Sequence, residues 1–116
     1  MINFIEYPKC STCIKAKKFL KDHNIKFSDR HIVEDKLNKD EIKALHLKSN
    51  LDIKRFFNTS GNVYKSLKLK DKLPDMSLEE KYEVLASDGM LVKRPIVEGD
   101  DYVLVGFKEN EYLNIK

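Results

Sequence analysis

The stretch YPKCSTC, residues 7–13, carries the only two cysteines of the chain, Cys10 and Cys13, three residues apart. A pair at this spacing can hold a metal, pack in a core, or exchange electrons as a dithiol. A structural zinc site takes four ligands. Here there is one Cys-x-x-Cys, and His23, His31 and His46 are scattered without ligand spacing, which argues against a metal. Free cysteines are often buried as small apolar residues, so simple packing stays open. The redox reading fits the position better. A helix N-terminus offers unpaired N–H groups and partial positive charge, and both favour a thiolate. With a helix starting at Ser11 or Thr12, Cys10 stands just ahead of it and Cys13 falls in its first turn. Cys10, the outer thiol, then attacks a substrate, and Cys13 resolves the mixed species as an intramolecular disulfide. Lys9 and the Lys15, Lys17, Lys18 group add positive charge nearby, although some of these must point away from the cysteines.

A second candidate is the run Lys93-Arg94-Pro95-Ile96-Val97. Arg94 presents a fixed fork of donors suited to an oxyanion or thiolate, or else is an exposed arginine in a polar turn. Pro95 cannot donate to a sheet ladder, which places it at a strand's first position or edge.

These residues need a scaffold. INFIE, residues 2–6, reads as a short buried strand that Tyr7-Pro8 ends. The helix after it runs through residues 14–24, with Cys13, Ala16 and Leu20 on one face and Asn24 as its stop. Residues 26–33 read as a second strand, with Phe27, Asp29 and His31 on one face. Asn38 can cap a helix carrying Ile42, Leu45 and His46. IKRFFNTSG is an apolar cluster with a stop at Gly61, and NVYKSLKL adds one or two turns. Ser77 and Glu80 form a capping-box pattern before LEEKYEVLAS, whose buried stripe includes Val84 and Leu85. Asp88-Gly89 closes that helix. PIVEGDDYVLV reads as a hairpin around EGDD, and Gly106 leads into a short charged helix. The order is β-α-β, several helices, then β-β-α.

At 116 residues the chain is one domain, and 41% hydrophobic content allows a core. No apolar run nears the roughly 20 residues of a membrane span, and MINFIEYP lacks the features of a signal peptide. A cytoplasmic location follows as the expectation, where a structural disulfide is rare. Net charge is +3, too small to argue direct nucleic-acid binding. Basic residues dominate the first two-thirds and acidic ones the last third. That polarity reads as a solvated surface or as a device for orienting an anionic partner.

YPKCSTC, LVKRPIV around residue 95 and GFKENEY near the end together resemble the arsenate reductase family in its broad sense. That family includes glutaredoxin-linked arsenate reductases and Spx-type regulators. The likeness spans nearly the whole chain, including FFNTSGNVYKSL and SDGMLVKRPIV. It implies an α/β fold: a thioredoxin-like mixed sheet, residues about 1–36 and 90–116, with an inserted helical subdomain, about 37–89. It implies Cys10 as the reactive cysteine, Arg94 beside it, and Pro95 adjoining, commonly after a cis bond. Ser11 and Thr12 support the site as the residues between the cysteines. Cys13 is a feature of Spx-type members, not of glutaredoxin-linked arsenate reductases. Those reductases carry two further anion-binding arginines, in the segment matching FFNTSG and after the hairpin's first strand. Here Asn58 and the acidic EGDD stand there. The resemblance thus implies a thiol–disulfide oxidoreductase, a monomer without cofactor or metal, reduced by thioredoxin or by glutathione/glutaredoxin. The alternative it implies is a redox-sensing regulator that docks on RNA polymerase.

Overall fold

The computed structural model describes residues 1–115. Four strands form one mixed sheet: β1 (Ile2–Glu6), β2 (Phe27–His31), β3 (Ile96–Glu98) and β4 (Val103–Val105). Their spatial order is β2-β1-β3-β4. β1 and β2 run parallel, with Phe4 opposite Asp29 and Glu6 opposite His31. β3 is antiparallel to β1, with Ile5 opposite Ile96, and β4 is antiparallel to β3. The parallel pair requires a crossover, which α1 (Ser11–Asp22) supplies. Between β2 and β3 lie α2 (Lys39–Ser49), α3 (Asn62–Ser66), α4 (Leu69–Lys72) and α5 (Leu78–Ser87), with short 3-10 turns among them. A final α6 (Glu109–Tyr112) follows β4.

Side chains alternate across a strand, so β1 feeds two cores. Ile2 and Phe4 pack with Ala16 and Leu20 of α1, Val97 of β3, and Tyr112 and Ile115. Ile5 points the other way, into a larger cluster with Ile96 and the buried faces of the 37–92 segment, among them Ile42, Phe56, Tyr82 and Leu85. The sheet is therefore sandwiched between two helical layers, each sealed by large side chains. Phe4, Leu20, Tyr82 and Tyr112 are fully buried, and burial on this scale stabilises by about 1.5–3 kcal/mol for each aliphatic or phenyl group.

Local signals agree with most of the expected boundaries. Asn24 takes a left-handed conformation (φ 56°) just past α1. Asn38 caps α2 in a reciprocal box with Glu41, and Ser77 caps α5 in one with Glu80. The hairpin turn closes with Gly99 N–H donating to the Tyr102 carbonyl at 2.9 Å.

Four details differ from expectation. The cap of α1 is Cys10 itself, not Ser11 or Thr12, because its sulfur accepts the Cys13 N–H. Gly61 does not stop a helix; it precedes α3, and Asn58 folds over it. Tyr82 and Leu85 form the buried stripe of α5, with Val84 only half-buried beside them. Gly89 does not end α5 in a left-handed turn. Asp88 is extended and its carboxylate accepts the Met90 N–H, starting a 3-10 turn over Gly89–Leu91. Gly89 is required for closeness instead: a Cβ there would collide with the Ile32 backbone carbonyl. The turn before Arg94 is thereby pressed against the end of β2.

Candidate functional site

β1 delivers the chain to one end of the sheet, and Tyr7, Pro8 and Lys9 turn it into α1. Cys10 N–H donates to the Tyr7 carbonyl at 2.9 Å, and Cys10's own carbonyl accepts Ile14 N–H at 3.0 Å. Cys10 has extended backbone (φ −81°, ψ 124°), so its side chain folds over the open end of α1. Its Sγ lies 3.4 Å from the Cys13 nitrogen. Both cysteines are free thiols; Cys10 is half-buried and Cys13 is wholly inaccessible.

The two thiols differ in acidity. Partial burial opposes ionisation of Cys10, but the backbone N–H and thiol of Cys13, the Thr12 N–H and the charge of Arg94 outweigh it and lower its pKa. Burial pushes Cys13 up to about 12. The Tyr7 N–H works against that rise, while Cys10 and Glu6 add to it. The arrangement makes Cys10 the more acidic thiol and keeps Cys13 protonated beside it. Thr12 contributes through its backbone; the side chains of Ser11 and Thr12 are exposed.

Arg94 arrives from the opposite side of the sheet. Because β3 runs antiparallel to β1, its start lies at the end where β1 finishes. The Arg94–Pro95 bond is cis, Pro95 is buried, and its carbonyl accepts the Gly106 N–H at 2.8 Å. Gly106 has φ 85°, a backbone that favours glycine. The Arg94 guanidinium donates to the Met90 carbonyl at 3.2 Å and sits 5.3 Å from the Tyr7 ring centroid. This contact with the face of Tyr7 holds the positive charge beside the Cys10 loop. Replacing Arg94 by alanine is expected to raise the Cys10 pKa, since a neighbouring cation favours the thiolate. Thiolate absorbance against pH in a Cys13→Ser background measures this. An unchanged titration curve would show that Arg94 is only packing.

Asn58 also reaches this corner. Its Nδ2 donates to the same Met90 carbonyl at 3.4 Å, and its N–H donates to Leu91 at 2.8 Å. The acidic turn Glu98–Asp101 does not. It lies at the other end of β3, beside Asn3, where Glu98 pairs with Lys48 at 2.9 Å. The residues that β4 brings to the cysteine end are instead Gly106, Phe107 and Lys108. Two lysines of α1 are held by carboxylates: Lys17 pairs with Glu6 and Asp29, and Lys18 with Asp22. Among the described residues no three His, Cys, Asp or Glu side chains converge as metal ligands.

A model of the ArsC family matches residues 5–115, nearly all of the chain. The chain belongs to the ArsC family. Two further comparisons place it within the family. The uncharacterized protein YusI of Bacillus subtilis is 52% identical, over 96% of this chain and 94% of its own length. The global transcriptional regulator Spx of Staphylococcus epidermidis is 30% identical, over 96% and 83%. Among solved structures, a putative ArsC family related protein from Bacteroides fragilis is 51% identical, with a TM-score of 0.96 over 99% of this chain and 97% of that one. The mixed sheet with its flanking helices is thus the ArsC, thioredoxin-like fold.

The residue that the sequence reading missed in this ArsC site is Glu6. It ends β1 on the same face as Ile2 and Phe4 and is 2% exposed. Alternation puts it on the face of Ile2 and Phe4, but an acidic residue at a strand end gives no sign of burial. Among the described residues no helix is long and apolar enough to cross a membrane.

Proposed function

We propose that this ArsC-family chain is a cytoplasmic thiol–disulfide oxidoreductase. The observation that carries this reading is the unequal pair: a helix-capping Cys10 of lowered pKa, hydrogen-bonded to a buried Cys13 held protonated. The Cys10 thiolate attacks one sulfur of a substrate disulfide, and the other sulfur leaves as a thiolate. Cys13 then gives up its proton and attacks Cys10. The Cys10–Cys13 disulfide forms, and the second substrate thiolate departs. Arg94 and the Thr12 N–H stabilise negative charge on Cys10 whenever it is the nucleophile or the leaving group. A cellular dithiol, thioredoxin or glutathione with glutaredoxin, returns the two electrons.

Controlled oxidation tests the reading. Mild peroxide is expected to remove both free thiols while the protein stays monomeric, and dithiothreitol to restore them. Intermolecular dimers, or two thiols that do not react, would sink it. The likeness to Spx supports a second reading, in which the same disulfide is the switch of a regulator that docks on RNA polymerase. Its mark would be redox-dependent retention of RNA polymerase without turnover of any disulfide.

A further inference from the structure

The helical segment between β2 and β3 carries a cleft of about 290 Å³ whose lining includes none of Cys10, Cys13 and Arg94. Its floor is apolar. Ile53, Phe57, Tyr64 and Leu73 meet there, each more than nine-tenths buried. The Phe57 and Tyr64 rings stand edge to face, with centroids 6.3 Å apart. The backbone fixes this floor. Asn58 N–H donates to the Leu91 carbonyl at 2.8 Å and Lys93 N–H to the Phe56 carbonyl at 2.7 Å, so Phe57 is clamped from both sides. The cleft is therefore shaped before a ligand arrives, as small-molecule sites usually are.

The rim has the opposite character. Lys54 comes from the 3-10 turn Ile53–Phe56, Lys70 from α4 and Lys81 from α5, so three separate elements each bring a cation. The lysine ion pairs among the described residues engage Lys17, Lys18, Lys39, Lys43 and Lys48, and none of these three. Lys81 is half-buried all the same. The acid of the lining, Asp52, is engaged elsewhere: its carboxylate accepts the Lys54 N–H at 2.9 Å. A buried tyrosine hydroxyl ordinarily finds a partner. That of Tyr64 has none among the described residues and is not sealed off, so it opens into the cleft.

We propose that this cleft binds a small aromatic carboxylate. The ring lies on the apolar floor against Phe57 and Tyr64. The carboxylate faces the lysines and accepts a hydrogen bond from the Tyr64 hydroxyl; charge-assisted bonds of this kind are the stronger ones. A plain hydrocarbon would use the floor and leave the lysines and the hydroxyl without a counterpart. An inorganic anion would do the reverse. The volume lies at the small end of ligand sites, which suits one ring system rather than a long acyl chain. The site is separate from the thiol pair and stands whether or not the chain exchanges disulfides.

Amide NMR of the whole chain, titrated with sodium naphthoate, tests this. The signals of Phe57, Tyr64 and Leu73 are expected to shift together and to saturate with one molecule bound per chain. Naphthylmethanol, the same ring system without the charge, is expected to bind at least about tenfold more weakly. Added salt is expected to weaken naphthoate and to leave the alcohol unchanged. Lys54→Ala combined with Lys70→Ala, both at exposed positions, is expected to weaken naphthoate by about tenfold, and Tyr64→Phe by about threefold. Equal affinity for the alcohol overturns the proposal, and this comparison needs no variant to fold. A double lysine variant that binds as the wild type does, or shifts that gather at the cysteine end or never saturate, overturns it too. An acidic peptide carrying phenylalanine that occupies the cleft while naphthoate does not would overturn it in favour of a protein-docking surface.

Discussion

Cys10→Ser is expected to lower turnover on a small disulfide by about a thousandfold or more, the usual size of effect for loss of a nucleophile. Cys13 cannot stand in for it. Its sulfur is inaccessible, and burial pushes its pKa up to about 12, so it stays protonated at neutral pH. Cys13→Ser is expected to behave differently: Cys10 still attacks once, and the protein stops as a stable mixed disulfide. Mass spectrometry of the intact chain distinguishes the two, since only Cys13→Ser should carry one covalently bound substrate half. Turnover surviving in Cys10→Ser, or a trapped adduct on Cys13, would reverse the assigned order of the thiols.

Arsenate is expected to be reduced weakly or not at all, with either glutaredoxin or thioredoxin supplied. An oxyanion leaving water needs several charge-assisted bonds, each contributing about 1.5–3 kcal/mol. At the cysteine end the contact to the Cys10 loop comes from the Arg94 guanidinium, with the N–H groups at the start of α1, while Lys108 makes no bond to that loop. Asn58 brings an amide without charge, already directed at the Met90 carbonyl. Lys17 and Lys18 are turned toward carboxylates. The absence of two positive donors then costs several powers of ten in transition-state binding. The acidic hairpin turn, which lies at the far end of the sheet, adds nothing to this expectation. Arsenate reduction at enzyme-like rates, abolished in Cys10→Ser, would falsify it and give Asn58 a direct part in anion binding. Failure on every disulfide tested, with RNA polymerase retained only in one redox state, would favour the regulator.

Much of this protein is written in short-range pattern. Period-two alternation marked β1, two short apolar runs around EGDD marked the hairpin, and Ser77 with Glu80 marked the start of α5, because these devices act over a few residues. The Cys-x-x-Cys spacing and the strand-to-helix junction were enough to set the two thiols at a helix end. The caps were less legible, since any small polar side chain near a helix start can serve. Only the chain's entry angle after Tyr7 made Cys10, rather than Ser11 or Thr12, the residue whose side chain turns back onto the N–H groups. Arg94 could be named from sequence but not aimed. Its approach to Cys10 depends on β3 running antiparallel to β1, a pairing between residues ninety or so apart in the chain. The same pairing carries the acidic turn away from the site, against what proximity in sequence to Arg94 suggests. Glu6 was the least legible. A glutamate at the end of a strand is ordinarily solvated. It became a buried carboxyl paired with Lys17 because α1 crosses over β1 and the parallel strand β2 sets Asp29 alongside. Sequence determined which groups were available and how the chain turns locally; only the crossing of distant elements decided which of them share a desolvated corner, and there charge and acidity are set by neighbours rather than by residue type.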